Sequence, residues 1–366
     1  MSPGGTETWL LNVLSHIDRS RFHIDFLVHK MEQCEYDDAV RACGSQIIPC
    51  PGISRPWVYE RNLSRILEQC GPYDIVHSHV HHFSGIVLKT ARRAGVRVRI
   101  AHSHSDTKHT NKQASICRRL YLNISARWIQ QNATLKLAAS HLAASALFGD
   151  TWETDQNTLI LYCGVDLAPF RLPVDRNDAR KQLGIPEKAL VLGNVGRLVN
   201  VKNHLLILRA AAKLVERGLD VRVLLVGDGP LRLDIERETH ELGLGGRVVM
   251  TGFRSDVARI MRGVMDVFVF PSHNEGLGLA LIEAQAAGLS CMISDAIPEE
   301  ADLVKPMIRR LAVSAPVEDW ADEIERFHKR HAKTDQAEML RVVEQSPFNI
   351  RASARELQEL YAIATM

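Results

Sequence analysis

Two carboxylates and two cations carry the chemistry legible in this chain. In the stretch PSHNEGLGLALIEAQAAGL (271–289), Glu275 precedes Gly276, Leu277 and Gly278, and Glu283 follows eight positions after Glu275. A carboxylate accepts several hydrogen bonds at once, which suits it to sugar and ribose hydroxyls. The same two residues also suit a helix N-terminus by charge alone, because the helix dipole stabilises acidic side chains there. Upstream, LVLGNVGR (190–197) ends in Gly196 and Arg197, and Lys202 stands just ahead of the apolar run HLLILRAAAKLVERG. A diphosphate needs such a place: glycine for clearance, N–H groups at a helix start, and fixed positive charge. An Arg/Lys pair at a turn is by itself more often a solvated basic loop, so it is the two sets together that favour a ligand with both phosphates and hydroxyls.

The elements that must hold these residues follow from apolar periodicity. DVFVFP (266–271) predicts a buried strand, and the helical pattern that begins near Leu279 is stopped by Gly288. LVLGNVG, VRVLLVG (221–227), RVVMTG (247–252) and SCMISD (290–295) predict further strands of a second half that opens at Leu190. In the first half, FHIDFLVH (22–29), YDIVHSH (73–79), VRVRIAHSH (96–104) and ATLKLAAS (133–140) predict strands of one parallel sheet flanked by helices. LILYCGVDLAPF (159–170) is the expected hinge, and RASARELQELYAIA (351–364) is a terminal helix with Leu357, Leu360 and Tyr361 at helical spacing. The expected fold class is therefore α/β, with two doubly wound parallel-sheet domains. No solenoid period or low-complexity tract interrupts them.

His77, His79, His81 and His82 cluster after one predicted strand, and His102, His104 and His109 after another. Neutral imidazoles at alternating strand positions are able to ligate zinc, but no H-E-x-x-H or cysteine-bearing spacing accompanies them, and no metal is expected. Alternation along a strand puts His102 and His104 on one face. Arg97, Arg99, Arg118 and Arg119 with Trp128 suggest a basic and aromatic face for an anionic acceptor or a membrane surface, although solvated basic faces are commoner.

Gly196-Arg197 with Lys202, VGDGPLR (226–232), TGFRSDV (251–257) and the two glutamates, in this order, resemble the retaining, nucleotide-sugar-dependent glycosyltransferases of family 4. The phrase EAQAAGLSCMISDAIPEEADL (283–303) is similar to their exopolysaccharide and capsule branch. The resemblance covers nearly the whole chain. It implies the GT-B fold: two Rossmann-like domains facing across a cleft, with the C-terminal helix crossing back to the first. It further implies that Arg197 and Lys202 hold the donor diphosphate, that Glu283 binds the ribose, and that Glu275 lies near the donor sugar's C3 and C4 hydroxyls. Gly276, Leu277 and Gly278 would give backbone contacts, and Phe253 and Arg254 would lie against the base. His104, with His102 as the second candidate, would stand near the donor sugar and acceptor, and Gly4 and Gly5 near the donor phosphate or acceptor. Arg197, Lys202, Glu275, His104 and His102 are thus the implied catalytic set, with domain closure assembling it. There is no D-x-D motif, the usual holder of a nucleotide-bound divalent ion in the other major glycosyltransferase fold, so metal-independent activation and no cofactor are expected. Cys163 departs from the family's N-G-V-D phrase, in which an asparagine stands at that position.

The resemblance implies domains at 1–165, 166–346 and a returning helix at 347–366. A length of 366 residues accommodates two cored domains, and a net charge of +2 makes no case for nucleic acid. Seven scattered cysteines, none in C-x-x-C spacing, favour a reducing, cytoplasmic compartment. No stretch approaches the ~20 apolar residues of a membrane span, so a soluble or peripheral protein is expected. SPGGTETWLLNVL (2–14) is similar to the family's glycine loop and first helix, which a strand ordinarily precedes; the expectation is a late start or a missing interior strand. The expected function is transfer of a sugar, with UDP favoured as the nucleotide, to a glycan or lipid-linked acceptor. The alternatives are a GT-B nucleotide-sugar epimerase and an inactive nucleotide-sugar-binding paralogue.

Overall fold

A computed structural model of the chain describes residues 4–107, 115–330 and 335–365. The chain divides into two compact units, Met1–Gly164 with Ile350–Met366, and Val165–Asn349.

In the first unit β1 (Phe26–Val28) pairs with β2 (Ile47–Pro49), while β3 (Ile75–Ser78), β4 (Val98–Ser103), β5 (Leu135–Ala138) and β6 (Thr158–Ile160) form a separate parallel sheet in that order. The sequence reading of one sheet here is corrected. β1 and β2 share one short ladder over their own small core of Leu14, Phe26 and Val40, and among the described residues no strand joins that ladder to β3. One face of the larger sheet is closed by Leu88, Ile129 and Leu147, from the Ser84–Arg93, Ile116–Asn132 and His141–Phe148 helices, packed with Ala101 of β4. The Ile350–Thr365 helix packs on the Gly5–His16 helix. Trp9 Nε1–H donates to Ser353 Oγ at 3.0 Å, and that hydroxyl donates to the Tyr162 carbonyl at 2.7 Å. Both side chains are buried, so this polar link is made inside an apolar contact.

The second unit has β7 (Leu190–Val195), β8 (Val221–Val226), β9 (Val248–Met250), β10 (Val267–Phe270), β11 (Ser290–Ser294) and β12 (Ile308–Leu311), all parallel, in the order β12-β11-β10-β7-β8-β9. This is the doubly wound arrangement, with the winding direction reversing between β7 and β10. Val267 and Val269 of β10, Leu190 and Leu192 of β7 and the inner stripe of the His204–Glu216 helix form its main core, which is why these runs read as continuous apolar sequence. β2, β6 and β12 were not anticipated; Thr158–Ile160 runs into the segment expected as the hinge. Ile47–Pro49 has only three residues and ends in proline, and Ile308–Leu311 carries Arg309 and Arg310 in its middle, so neither shows an apolar run.

Candidate active site

The second unit collects its predicted ligand-binding residues at the ends of β7 and β10. These strands are neighbours, pairing Val267 with Leu192 and Phe268 with Gly193, and they flank the switch point, where the loops after two adjacent strands diverge and leave a crevice. Gly196 and Arg197 follow β7, and Glu275 to Gly278 follow β10. The two loops are tied together: His273 N–H donates to the Val201 carbonyl at 2.8 Å.

Lys202 ends a short 3-10 turn (Asn200–Lys202), and its side chain runs back over Gly196 towards Glu275. Lys202 Nζ donates to Glu275 Oε1 at 2.7 Å and stands 4.8 Å from the Phe270 ring centroid. The pair is largely shielded from water, which strengthens it relative to a surface ion pair. Arg197 is exposed and makes no ion pair among the described residues. Glu283, half-buried on the first turns of the Leu279–Ala286 helix, has no hydrogen-bond partner there either, and burial alone raises its pKa to about 7. Gly278 caps that helix in the left-handed region at φ 88°, a conformation costly for a residue with a Cβ, and no side chain caps the helix start. Leu277 turns its side chain into the core, leaving its backbone as the group available to a ligand.

The loop after β9 is held against the turn after β8 by Gly227 N–H donating to the Gly252 carbonyl at 2.9 Å. Phe253, beyond it, is 48% exposed, whereas Arg254 is engaged by both carboxylate oxygens of Asp256 at 2.8 Å. His204, just after Lys202, was not singled out in the sequence. It is buried, with neither ring nitrogen partnered among the described residues, and burial and the Lys202 charge lower its pKa to about 4.

In the first unit the histidines converge. β3 and β4 are adjacent and parallel, with His77 opposite Ile100, so His77 and His79 project beside His102 and His104. The His102 and His104 ring centroids are 4.0 Å apart, as expected for alternate residues on one face. His77 Nε2 lies 3.1 Å from His102 Nδ1, and His79 Nδ1 lies 2.8 Å from His104 Nε2. Tyr361 Oη is 2.7 Å from His77 Nδ1, Cys163 Sγ is 3.5 Å from His104 Nδ1, and Trp9 packs edge-on to His79 and His102. Burial, and for His77, His102 and His104 the neighbouring imidazoles as well, hold all four well below the usual histidine range; His79 falls to about 3. His102 is fully buried, whereas His104 retains some exposure. The grouping was hidden in the sequence because it depends on strand register; its trace was a pair of i, i+2 histidines at each of two consecutive strand ends.

Gly4 is the extended N-cap of the Gly5–His16 helix, so both glycines sit at the helix start that carries Trp9. His109 lies outside the described residues. The suggested basic and aromatic face is corrected in part. Arg99 turns inward, with Nε and Nη1 donating to the carbonyls of Asn132, Val96 and Arg97, and Trp128 is covered by Lys89, whose Nζ stands 4.2 Å from its ring centroid. Arg97, Arg118 and Arg119 remain exposed.

Two family profiles match the chain. The Glycosyltransferase Family 4 profile matches residues 3–169, and that of Glycosyl transferases group 1 matches residues 175–340. The chain is 37% identical over 331 residues to a putative glycosyltransferase, EpsF, of Bacillus subtilis strain 168, covering 89% of this chain and 85% of that one. The chain belongs to the GT-B glycosyltransferases. It is also 30% identical over 235 residues to the UDP-Gal:alpha-D-GlcNAc-diphosphoundecaprenol alpha-1,3-galactosyltransferase of Escherichia coli, covering 61% of this chain and 58% of that one. Among solved structures, HepE of Anabaena in complex with UDP and glucose superposes with a TM-score of 0.80 at 19% identity, over 99% of this chain and 96% of that one. WaaG, a glycosyltransferase involved in lipopolysaccharide biosynthesis, gives 0.70 at 18% identity, over 100% of this chain and 95% of that one. At these identities the structural likeness speaks for the fold of this glycosyltransferase and not for its donor.

Proposed function

We propose that this glycosyltransferase moves a hexosyl group from a UDP-sugar to a glycan or lipid-linked acceptor, with retention at the anomeric carbon, in cell-surface exopolysaccharide synthesis. The observation that carries the reading is the set on the elements that follow β7 and β10 at the switch point: the Lys202–Glu275 pair together with an exposed Arg197 and a half-buried Glu283 that have no ion pair among the described residues. The UDP in HepE, the UDP-galactose and diphosphoundecaprenol in the name of the E. coli relative, and the likeness to EpsF support the donor and acceptor classes.

The chemistry follows from these groups. The donor diphosphate draws Lys202 away from Glu275, which frees that carboxylate to accept from sugar hydroxyls. As the bond from the anomeric carbon to the phosphate oxygen breaks, Arg197, Lys202 and the start of the Leu279–Ala286 helix offset the charge gathering on the leaving phosphate. The acceptor oxygen bonds to the same face of the anomeric carbon, and its proton passes to that phosphate. No divalent ion is needed at the diphosphate. Glu283 holds the ribose, and Phe253 and Arg254 lie against the base. Gly276, Leu277 and Gly278 give backbone contacts to the donor. His104 is the candidate nearest the sugar and acceptor, with Gly4 and Gly5 beside the phosphate or acceptor; full burial makes His102 a support beneath it.

The free cysteines fit a cytoplasmic site of action. Among the described residues no helix is long and apolar enough to cross a membrane. A peripheral contact is supported by Ile116, Leu120 and Ile124, exposed at 84, 61 and 38% one turn apart on the Ile116–Asn132 helix, which also carries Arg118, Arg119 and Arg127. Leu120→Glu is expected to reduce co-sedimentation with anionic vesicles; unchanged sedimentation would remove this contact from the reading.

The decisive experiment incubates the chain with a panel of nucleotide sugars and follows thermal stabilisation and slow donor hydrolysis, with Lys202→Ala and Glu275→Ala as controls. UDP-sugars are expected to stabilise and hydrolyse, with no stimulation by added Mg2+ or Mn2+, and the anomeric configuration of the released sugar, read by NMR before mutarotation, is expected to be that of the donor. Inversion, or equal activity in both variants, would overturn the mechanism.

A further inference from the structure

We propose that His77, His79 and His102 form a binding site for one divalent transition-metal ion of the zinc class inside the first unit. One ring nitrogen from each lies within 4.8 Å of those of the other two. Tetrahedral ligand atoms around an ion with bonds of about 2.0–2.1 Å stand roughly 3.3–3.4 Å apart. The 3.1 Å between His77 Nε2 and His102 Nδ1 is already close to that spacing, and small shifts of the side chains are needed to bring the remaining separations, none above 4.8 Å, to it.

The donors suit such an ion: imidazole is its commonest nitrogen ligand, and it must be neutral to bind. The surroundings keep these rings neutral, since they are packed together beside Trp9 and, among the described residues, no carboxylate bonds to them. An outer shell is also in place. Tyr361 Oη holds His77 Nδ1 at 2.7 Å, so His77 presents Nε2, and His104 holds His79 Nδ1 at 2.8 Å, so His79 presents its Nε2. Partners on the second nitrogen fix tautomer and ring orientation in metal sites. His102 is fully buried, so the Nδ1 it sets 3.1 Å from His77 Nε2 is shielded from water. Because β3 carries two ligands and β4 the third, with Tyr361 reaching in from the Ile350–Thr365 helix, an ion here pins three segments of the first unit together. The three ligands lie in the first unit, whereas Arg197, Lys202, Glu275 and Glu283 lie in the second.

The test uses the full chain, stripped with a chelator and with exposed thiols alkylated, because Cys70 and Cys117 are exposed and would compete for the ion. Zn2+ is titrated by calorimetry and by thermal shift, and Co2+ by visible absorption. Expected are one ion per chain at micromolar affinity or tighter, a raised Tm, and a cobalt spectrum of tetrahedral nitrogen ligation. His77→Gln and His79→Gln, checked for fold by circular dichroism, are each expected to weaken binding by about 100-fold or more. Absence of binding below millimolar metal, thiolate charge-transfer bands in the cobalt form, or undiminished affinity in both variants would overturn the proposal. The wild-type cobalt spectrum decides even if a variant fails to fold.

Discussion

At the scale of single residues, the donor site contrasts groups that already have partners with groups that do not. Lys202 is neutralised by Glu275, so on the proposed reading diphosphate binding would be an exchange of partners, whereas Arg197 would meet the ligand as an exposed cation. Lys202→Ala is expected to lower the transfer rate by about 100- to 1,000-fold, the scale of losing one preorganised charge contact to a leaving group, with an unchanged circular dichroism spectrum. Glu283 sets a pH dependence. Its folded-state pKa of about 7 stands above the usual 4.5, so the folded chain holds a proton that the unfolded chain releases between those values. The stability this contributes is whole below 4.5 and is lost as pH rises to about 7. UDP binding runs the other way, because the carboxylate is the better acceptor for ribose hydroxyls: affinity is expected to rise as pH rises through about 7, and Glu283→Gln to flatten that profile in calorimetric titrations.

At the scale of elements, the site is held by close backbone approaches. Gly227 adopts φ 134°, and a Cβ built on it would stand 2.1 Å from the Gly196 carbonyl oxygen. Gly227→Ala must therefore push apart the turns that follow β7 and β8. Its expected cost is at least about 1–3 kcal/mol in urea unfolding, with weaker UDP binding, because Arg197 adjoins the displaced carbonyl. The sequence made β7 and β10 legible as strands, since both are buried on two faces and read as apolar runs, and the glycines after them marked turns. It could not say that the two strands are neighbours, because pairing strands that lie some seventy residues apart is a property of sheet order. The same limit hid the histidine cluster, which needs β3 beside β4 in a particular register.

At the scale of the whole molecule, the chain leaves the first unit after Gly164 and re-enters it at Ile350, so a helix remote in sequence completes the packing around Trp9. Ser353→Ala leaves the buried Trp9 Nε1–H without its acceptor and is expected to cost about 1–3 kcal/mol in unfolding followed by tryptophan fluorescence. UDP affinity is expected to be little changed, because Arg197, Lys202, Glu275 and Glu283 belong to the other unit; a parallel loss of affinity would mean that UDP binding also uses the first unit, through Gly4 and Gly5.

The sequence by itself determined the α/β class, most strands of the second unit, and a set of residues, Arg197, Lys202, Glu275 and Glu283, whose chemistry fits a nucleotide sugar. These are local properties: period of burial, glycine at turns, and charge beside a helix start. Only the tertiary structure decided that β1 and β2 stand apart from the larger sheet, that Lys202 closes on Glu275, that Arg99 is spent on backbone carbonyls, and that four histidines from two strands pack into one cluster. Each of those depends on which strands lie side by side and what covers them, and burial and register arise only when distant segments pack together.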